Sequence, residues 1–143
     1  MSTTLGVHHV GLSVPDLKAA TGFFVEALGF KEVGGKPDYP SVFVSDGTTM
    51  LTLWQIAEPE AATQFDRKTN IGLHHLALKV ADKYHLTALH SQLAERDDVS
   101  IEFAPEPIVS GAAIHHFICA MPGGIRNEVT PSPKPKRPLP TAE

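Results

Sequence analysis

Apolar and polar side chains alternate along residues 7–14: Val10, Leu12 and Val14 fall on one side, His9, Gly11 and Ser13 on the other. A period of two marks a strand with one buried face. From residue 17 the period lengthens, and Leu17, Ala20, Thr21, Phe24 and Leu28 recur at helical spacing. Asp16 stands where an N-cap belongs and Gly29 where a left-handed residue closes the last turn. Short strands are predicted at 30–33, 41–44 and 50–54. They are separated by Gly34-Gly35-Lys36-Pro37-Asp38 and by Ser45-Asp46-Gly47. The predicted order is β-α-β-β-β.

The order then recurs. Residues 73–80 alternate as a second strand, with Leu76, Leu78 and Val80 opposed to His75, Ala77 and Lys79. Asp82 precedes a helix with Leu86, Leu89 and Leu93 on one stripe. Strands are predicted near 100–103, 113–119 and 125–130, the last two joined by Met121-Pro122-Gly123-Gly124. The wording repeats as well as the pattern. Gly6-Val7-His8-His9-Val10 returns as Gly72-Leu73-His74-His75-Leu76, and Asp16 returns as Asp82, all 66 residues apart. The chain reads as an internal duplication: a first module over 1–55, a linker over 56–70 and a second module over 71–130. The residues 131–143, dense in proline, read as a disordered tail. A second long loop is expected over 104–111.

Strand parity separates the two histidines of each pair. A sheet with helices on one face is apolar on that face. His9 and His75 therefore lie on the opposite face, and His8 and His74 fall on the helix side near the strand starts, where a capped or solvent-reaching role is natural. Aligning Gly47 with Gly123 sets Thr52 beside Glu128 and puts both on the face of His9 and His75. Phe117 and Cys119 are expected on the helix side, which leaves His116 and Ile118 on the other face with Trp54. Taken singly, His9 and His75 each read as a satisfied polar residue in a filled cleft. Gathered with Glu128 on one face, they read as a site. Cys119 reads as a small buried apolar residue, Lys79 as a solvated charge, and Arg126 as a partner for a nearby carboxylate on an outer strand.

Composition narrows the partners. The chain has 143 residues, 42% of them hydrophobic, a formal net charge of −4 and one cysteine. No intrachain disulfide is possible. No clustered basic face is evident, so nucleic acid is not an expected partner. No apolar run approaches the length of a membrane span, and no membrane partner is expected. A cytoplasmic location is the expectation.

The motif His9-Val10-x-Leu12-x-Val14-x-Asp16-Leu17, followed by a helix ending Leu28-Gly29-Phe30, resembles the opening of the vicinal oxygen chelate superfamily. That superfamily includes glyoxalase I, extradiol dioxygenases, fosfomycin-resistance and bleomycin-resistance proteins and methylmalonyl-CoA epimerase. His75-Leu76-Ala77-Leu78 and Pro122-x-Gly124-x-Arg126-x-Glu128 resemble its second half. The resemblance covers residues 6–130 and implies an α+β fold: two tandem βαβββ modules forming a U-shaped mixed sheet around a metal-centred cleft. It also implies that His9, His75 and Glu128 are the metal ligands. Many four-ligand members carry Glu or Gln where this chain has Thr52, which counts against standard glyoxalase I and epimerase chemistry. Gly11 stands where fosfomycin-resistance enzymes have a threonine.

Two histidines and a carboxylate suit one divalent metal, Fe2+, Mn2+, Ni2+ or Zn2+, with positions open for two adjacent substrate oxygens. Such a metal acts as a Lewis acid on an enolate, enediolate or catecholate oxygen. His116 is the candidate catalytic acid/base, and Trp54, Thr52 and Ile118 are candidate substrate-binding residues. The expected function is a metal-dependent enzyme on a small substrate, of the lyase/isomerase kind or a ring-cleaving dioxygenase. The alternative is a non-catalytic protein that sequesters a drug or metabolite. A homodimer is expected, and the two modules around one metal could come from one chain or from two.

Overall fold

The structure, a computed structural model, describes residues 1–133. The tail expected over 131–143 therefore falls mostly outside the described residues. Among the described residues, eight strands form two sheets of four. The first module contains β1 (His9–Val14), β2 (Lys31–Lys36), β3 (Tyr39–Ser45) and β4 (Met50–Gln55), in the spatial order β1-β4-β3-β2. The second contains β5 (Leu76–Val80), β6 (Ser100–Pro107), β7 (His115–Ala120) and β8 (Arg126–Pro131), ordered β5-β8-β7-β6. In each sheet the first strand pairs parallel with the last, and the other neighbours are antiparallel. The tandem βαβββ modules expected from the sequence are present, as two hydrogen-bonded sheets rather than one.

The repeat extends to the register. Gly11 pairs with Thr52 across β1 and β4, and Ala77 pairs with Glu128 across β5 and β8. Thr52 and Glu128 thus occupy equivalent places. The helix faces are apolar as the alternation requires: Leu12, Val14, Leu51 and Leu53 in one module and Phe117, Cys119 and Val129 in the other are buried. Asn127 is the exception. It stands at the register of Leu51, is buried, donates through Nδ2 to the Ile125 carbonyl and leaves Oδ1 without a partner.

Both predicted caps form. The Asp16 carboxylate accepts from the Ala19 N–H and begins α1 (Leu17–Gly22); that of Asp82 accepts from the His85 N–H and begins α2 (Lys83–Ala94). Residues 17–28 do not make one uniform helix, however. After Gly22 the helix widens into a π turn over Phe23–Ala27. Phe23 and Phe24 are both fully buried there, with ring centroids 5.2 Å apart. A π turn accommodates one more residue than an α turn, and this one delivers two adjacent aromatic rings to the sheet. Gly29 closes it at φ +76°.

Several boundaries move. β2 continues through Gly34 and Gly35, which the sequence assigned to a turn. A Cβ on Gly35 would lie 2.7 Å from the Ser41 carbonyl oxygen, so glycine here permits close backbone approach across a bulged pair. β6 runs to Pro107 and absorbs the first half of the loop expected over 104–111. The linker carries a short 3-10 turn, Pro59–Ala61. β8 ends on Pro131, where the missing N–H falls at the strand terminus. β8 is also an inner strand, so Arg126 does not lie at a sheet edge.

The modules meet near their turns. A Cβ on Gly123, in the β7–β8 turn, would lie 2.6 Å from Pro15 Cδ. The equivalent β3–β4 turn shares a cavity with the end of β5, lined by Asp46, Thr48 and Thr49 on one side and by Leu78–Ala81 on the other. No helix among the described residues is long and apolar enough to cross a membrane.

Candidate active site

In the second module the face away from α2 carries a polar cluster. Glu128, on the inner strand β8, is gripped at both oxygens. His75 Nε2 lies 3.0 Å from Oε2, and His116 Nδ1 lies 2.8 Å from Oε1. The Glu128 and His116 side chains are largely buried and His75 is about a third exposed. The Phe103 ring packs against His116 at 5.0 Å between centroids, and Ile118 beside them is 7% exposed. An ionised carboxylate only accepts hydrogen bonds. Its contact with His116 therefore places an N–H on His116 Nδ1 and directs Nε2 away from Glu128.

The equivalent face of the first module is aromatic instead. Trp54 Nε1–H donates to Thr52 Oγ1 at 2.8 Å, which takes one of the two acceptor positions of the threonine oxygen. Tyr39 and Phe43 pack around Trp54 at centroid distances of 5.1 and 5.7 Å, and Lys36 Nζ sits 5.8 Å from the ring centre. Gly11 leaves room for this group: its absent Cβ would fall 3.2 Å from Thr52 Oγ1. The sequence reading had singled out Trp54 but not Tyr39, Phe43 or Lys36. Register is the signal that could have found Phe43, since β3 pairs it with Thr52.

His9 does not join the cluster of His75, His116 and Glu128. It is exposed, and its side-chain hydrogen bond goes to the neighbouring His8, Nδ1 to Nδ1 at 2.8 Å. Among the described residues no three His, Cys, Asp or Glu side chains are grouped as a metal ion requires. The donor chemistry nonetheless suits a borderline divalent cation, with an imidazole nitrogen and a carboxylate oxygen already converging.

His8 and His74 are both exposed, in keeping with the solvent-reaching role expected of them near the strand starts. β1 and β5 begin only at His9 and Leu76, so strand parity does not reach His8 and His74. His74 repeats the contact seen in the first module, Nδ1 to Nδ1 of His75 at 2.7 Å. It is also touched by Arg126, which grips Glu102 with two hydrogen bonds of 3.2 and 2.7 Å. The Arg126 guanidinium holds the Glu102 carboxyl below its ordinary value, and Arg67 from the linker adds a 3.0 Å contact to Glu102. Burial pushes the Cys119 thiol up to about 11, in keeping with an inert core residue. Lys79 is exposed.

Comparison with known proteins adds four matches. The family model described as Glyoxalase/Bleomycin resistance protein/Dioxygenase superfamily matches residues 6–129. A 2-epi-5-epi-valiolone epimerase from Actinomyces sp is 30% identical over 146 aligned positions, covering 87% of this chain and 78% of that protein. Among solved structures, a glyoxylase/bleomycin resistance protein/dioxygenase domain from Frankia sp. superposes with a TM-score of 0.73 at 23% identity, covering 94% of this chain and 96% of that one. A lactoylglutathione lyase from Agrobacterium tumefaciens gives 0.66 at 20% identity, covering 92% and 96%. These two structures speak to the fold alone.

Proposed function

Because the chain belongs to the glyoxalase/bleomycin resistance protein/dioxygenase superfamily, we propose that it is a divalent-metal-dependent enzyme of the isomerase/lyase kind. Its substrate is a small molecule bound through adjacent oxygens. The observation that carries the reading is the convergence of His75 Nε2 on Glu128 Oε2, with His116 on the other carboxylate oxygen. The epimerase relative favours proton transfer beside a carbonyl over ring cleavage.

His75, Glu128 and His9 are the residues that would hold the metal. When bound, it would supply a Lewis acid that stabilises negative charge developing on a substrate oxygen. The chain's own groups do the rest. Glu128 accepts the His116 Nδ1–H and orients the ring, which leaves Nε2 free to take a proton from carbon. Return of a proton from solvent to the opposite face inverts the centre. Thr52 is a poor base at neutral pH; its oxygen accepts from Trp54, and its hydroxyl keeps a donor for a substrate oxygen. Trp54, with Tyr39 and Phe43, offers a wall for the substrate.

His9 reaches the site from a second copy of the chain, in a homodimer. Three observations favour this. His9 is exposed, its ring hydrogen-bonds to His8 and not, among the described residues, to the second module's cluster, and large apolar side chains are exposed at matching places of the repeat. Those side chains are Leu5 and Val7 ahead of β1 and Ile71 and Leu73 ahead of β5.

The test is solvent exchange. The 2-epi-5-epi-valiolone named for the relative is incubated with metal-loaded protein in deuterated water and followed by NMR. Deuterium entering one carbon alongside epimer formation is expected, and its loss in Glu128→Ala. Absence of both exchange and epimer with each of Fe2+, Mn2+, Ni2+ and Zn2+ would contradict proton-transfer chemistry on this compound.

A further inference from the structure

Side chains of a regular strand alternate between faces, so Lys36 should share the face of Glu32 on β2. Glu32 opposes the buried Val44 and lines the groove beside α1 with Leu17, Thr21 and Val25. It lies on the helix side. Lys36 does not. The register of β2 against β3 slips after Glu32. Continued pairing would set Gly34 against Val42, but Gly34 opposes Phe43 and Lys36 opposes Tyr39. A slip of one residue moves every later side chain to the other face. Gly34 and Gly35 permit the slip. A Cβ on Gly34 would lie 3.4 Å from the Phe43 ring, and Gly35 lets its backbone approach the Ser41 carbonyl. The Lys36 N–H donates to Ser41 Oγ at 3.0 Å, which pins the strand end in its turned position. The result is an ammonium 5.8 Å from the Trp54 ring centre, on the face that Trp54 shares with Thr52.

Bulges beside functional sites re-aim side chains, and this one re-aims a cation that has no counter-ion. Among the described residues no carboxylate comes within ion-pair distance of Lys36 Nζ. The ring face of Trp54 attracts the ammonium and keeps it close, while its three N–H groups remain donors with no acceptor of their own. The same wall carries the exposed Tyr39 hydroxyl and the Thr52 hydroxyl, whose hydrogen is not used by the bond from Trp54. Several donors, one of them charged, and no carboxylate beside it fit an oxyanion. We propose that Lys36 is a specificity-determining residue: it receives a carboxylate or phosphoryl group carried by the substrate, against the Trp54 wall. The inference rests on the first module's aromatic face being a wall of the substrate site; it does not depend on the metal.

Trp54 is the one tryptophan of the chain, so its fluorescence reports on this place alone. The test titrates the full, chelator-treated chain at neutral pH and constant ionic strength with sodium lactate and, separately, with sodium phosphate. Propane-1,2-diol is the neutral control. A saturable change in Trp54 emission is expected with at least one of the anions and not with the diol. Response to lactate alone assigns a carboxylate, and response to phosphate alone a phosphoryl group. Lys36→Gln should weaken binding of the responding anion about 10-fold or more, Lys36→Arg should retain it, and added sodium chloride should weaken it. Lys36 is exposed, so both variants should fold. Gly35→Ala puts a Cβ 2.7 Å from the Ser41 carbonyl oxygen and should lower the response with Lys36 still in the chain; if it fails to fold, Lys36→Gln decides. No change with either anion, a response that persists in Lys36→Gln, or one equalled by the diol would overturn the proposal. An unchanged response in Gly35→Ala would overturn the part given to the bulge. Anion binding at Lys36 in a protein that binds no divalent ion would leave the role of Lys36 standing and remove the metal centre; metal binding without an anion response would do the reverse.

Discussion

His75 Nε2, just ahead of β5, and Glu128 Oε2, on the neighbouring strand β8, stand 3.0 Å apart. The contact follows from sheet topology. β5 and β8 pair in parallel, with Leu76 beside Asn127, which brings His75 and Glu128 together on the face that α2 leaves uncovered. In the first module the same topology brings His9 near Thr52 and not near a carboxylate. The duplication thus supplies two equivalent histidine places and one acidic place.

His116 should matter to chemistry more than to metal binding. In His116→Gln we expect kcat to fall by about 10² to 10⁴, the span typical of a lost acid/base group. Metal content, measured by elemental analysis, should fall little. A variant that loses its metal in proportion to its activity would make His116 a support for Glu128 and nothing more.

A shared site makes a specific forecast for mixed dimers. His9→Ala and Glu128→Ala homodimers should each be inactive. After subunit exchange, random pairing should restore about a quarter of the normal sites, since half the dimers are mixed and each holds one intact site. Recovered activity near zero would mean that each site is built within one chain.

The two turn glycines separate backbone strain from module packing. Gly47 and Gly123 both lie at φ +93°, but a Cβ at Gly47 meets nothing within 4 Å while one at Gly123 meets Pro15. Gly47→Ala should cost about 1–2 kcal/mol from the left-handed backbone alone. Gly123→Ala should cost a further 1–3 kcal/mol or so for overpacking against the other module. Denaturant unfolding of both variants measures the difference, and equal losses would show that the Pro15 contact yields freely.

Much of this was legible in the sequence because the duplication supplies its own alignment. Asp16 and Asp82 as caps, Gly29 as the helix closer, and the equivalence of Thr52 and Glu128 all follow from periodicity and the repeat. Parity likewise set Phe117 and Cys119 in the core and left His116 on the other face. Parity is silent on contacts made ahead of the strands. His8 and His74 precede the strands, and their contacts are set by ring-to-ring hydrogen bonds that no alternation encodes. The π turn at Phe23 was hidden because helical spacing of apolar residues looks the same for both kinds of turn. Arg126 was undervalued because its strand was taken for an outer one, whereas β8 lies inside the sheet between β5 and β7. The relation of His9 to the cluster depends on how modules assemble, which is a matter of surfaces and not of strand pattern.

The most direct measurement is a metal titration of chelator-treated protein. Calorimetry with Mn2+, Ni2+ and Zn2+, and with Fe2+ under anaerobic conditions, should give one site per chain for at least one ion. Binding should be abolished in Glu128→Ala and His75→Ala while circular dichroism shows the fold retained. No stoichiometric binding of any of the four ions, or binding unaffected by loss of Glu128, would contradict a metal centre built on His75 and Glu128.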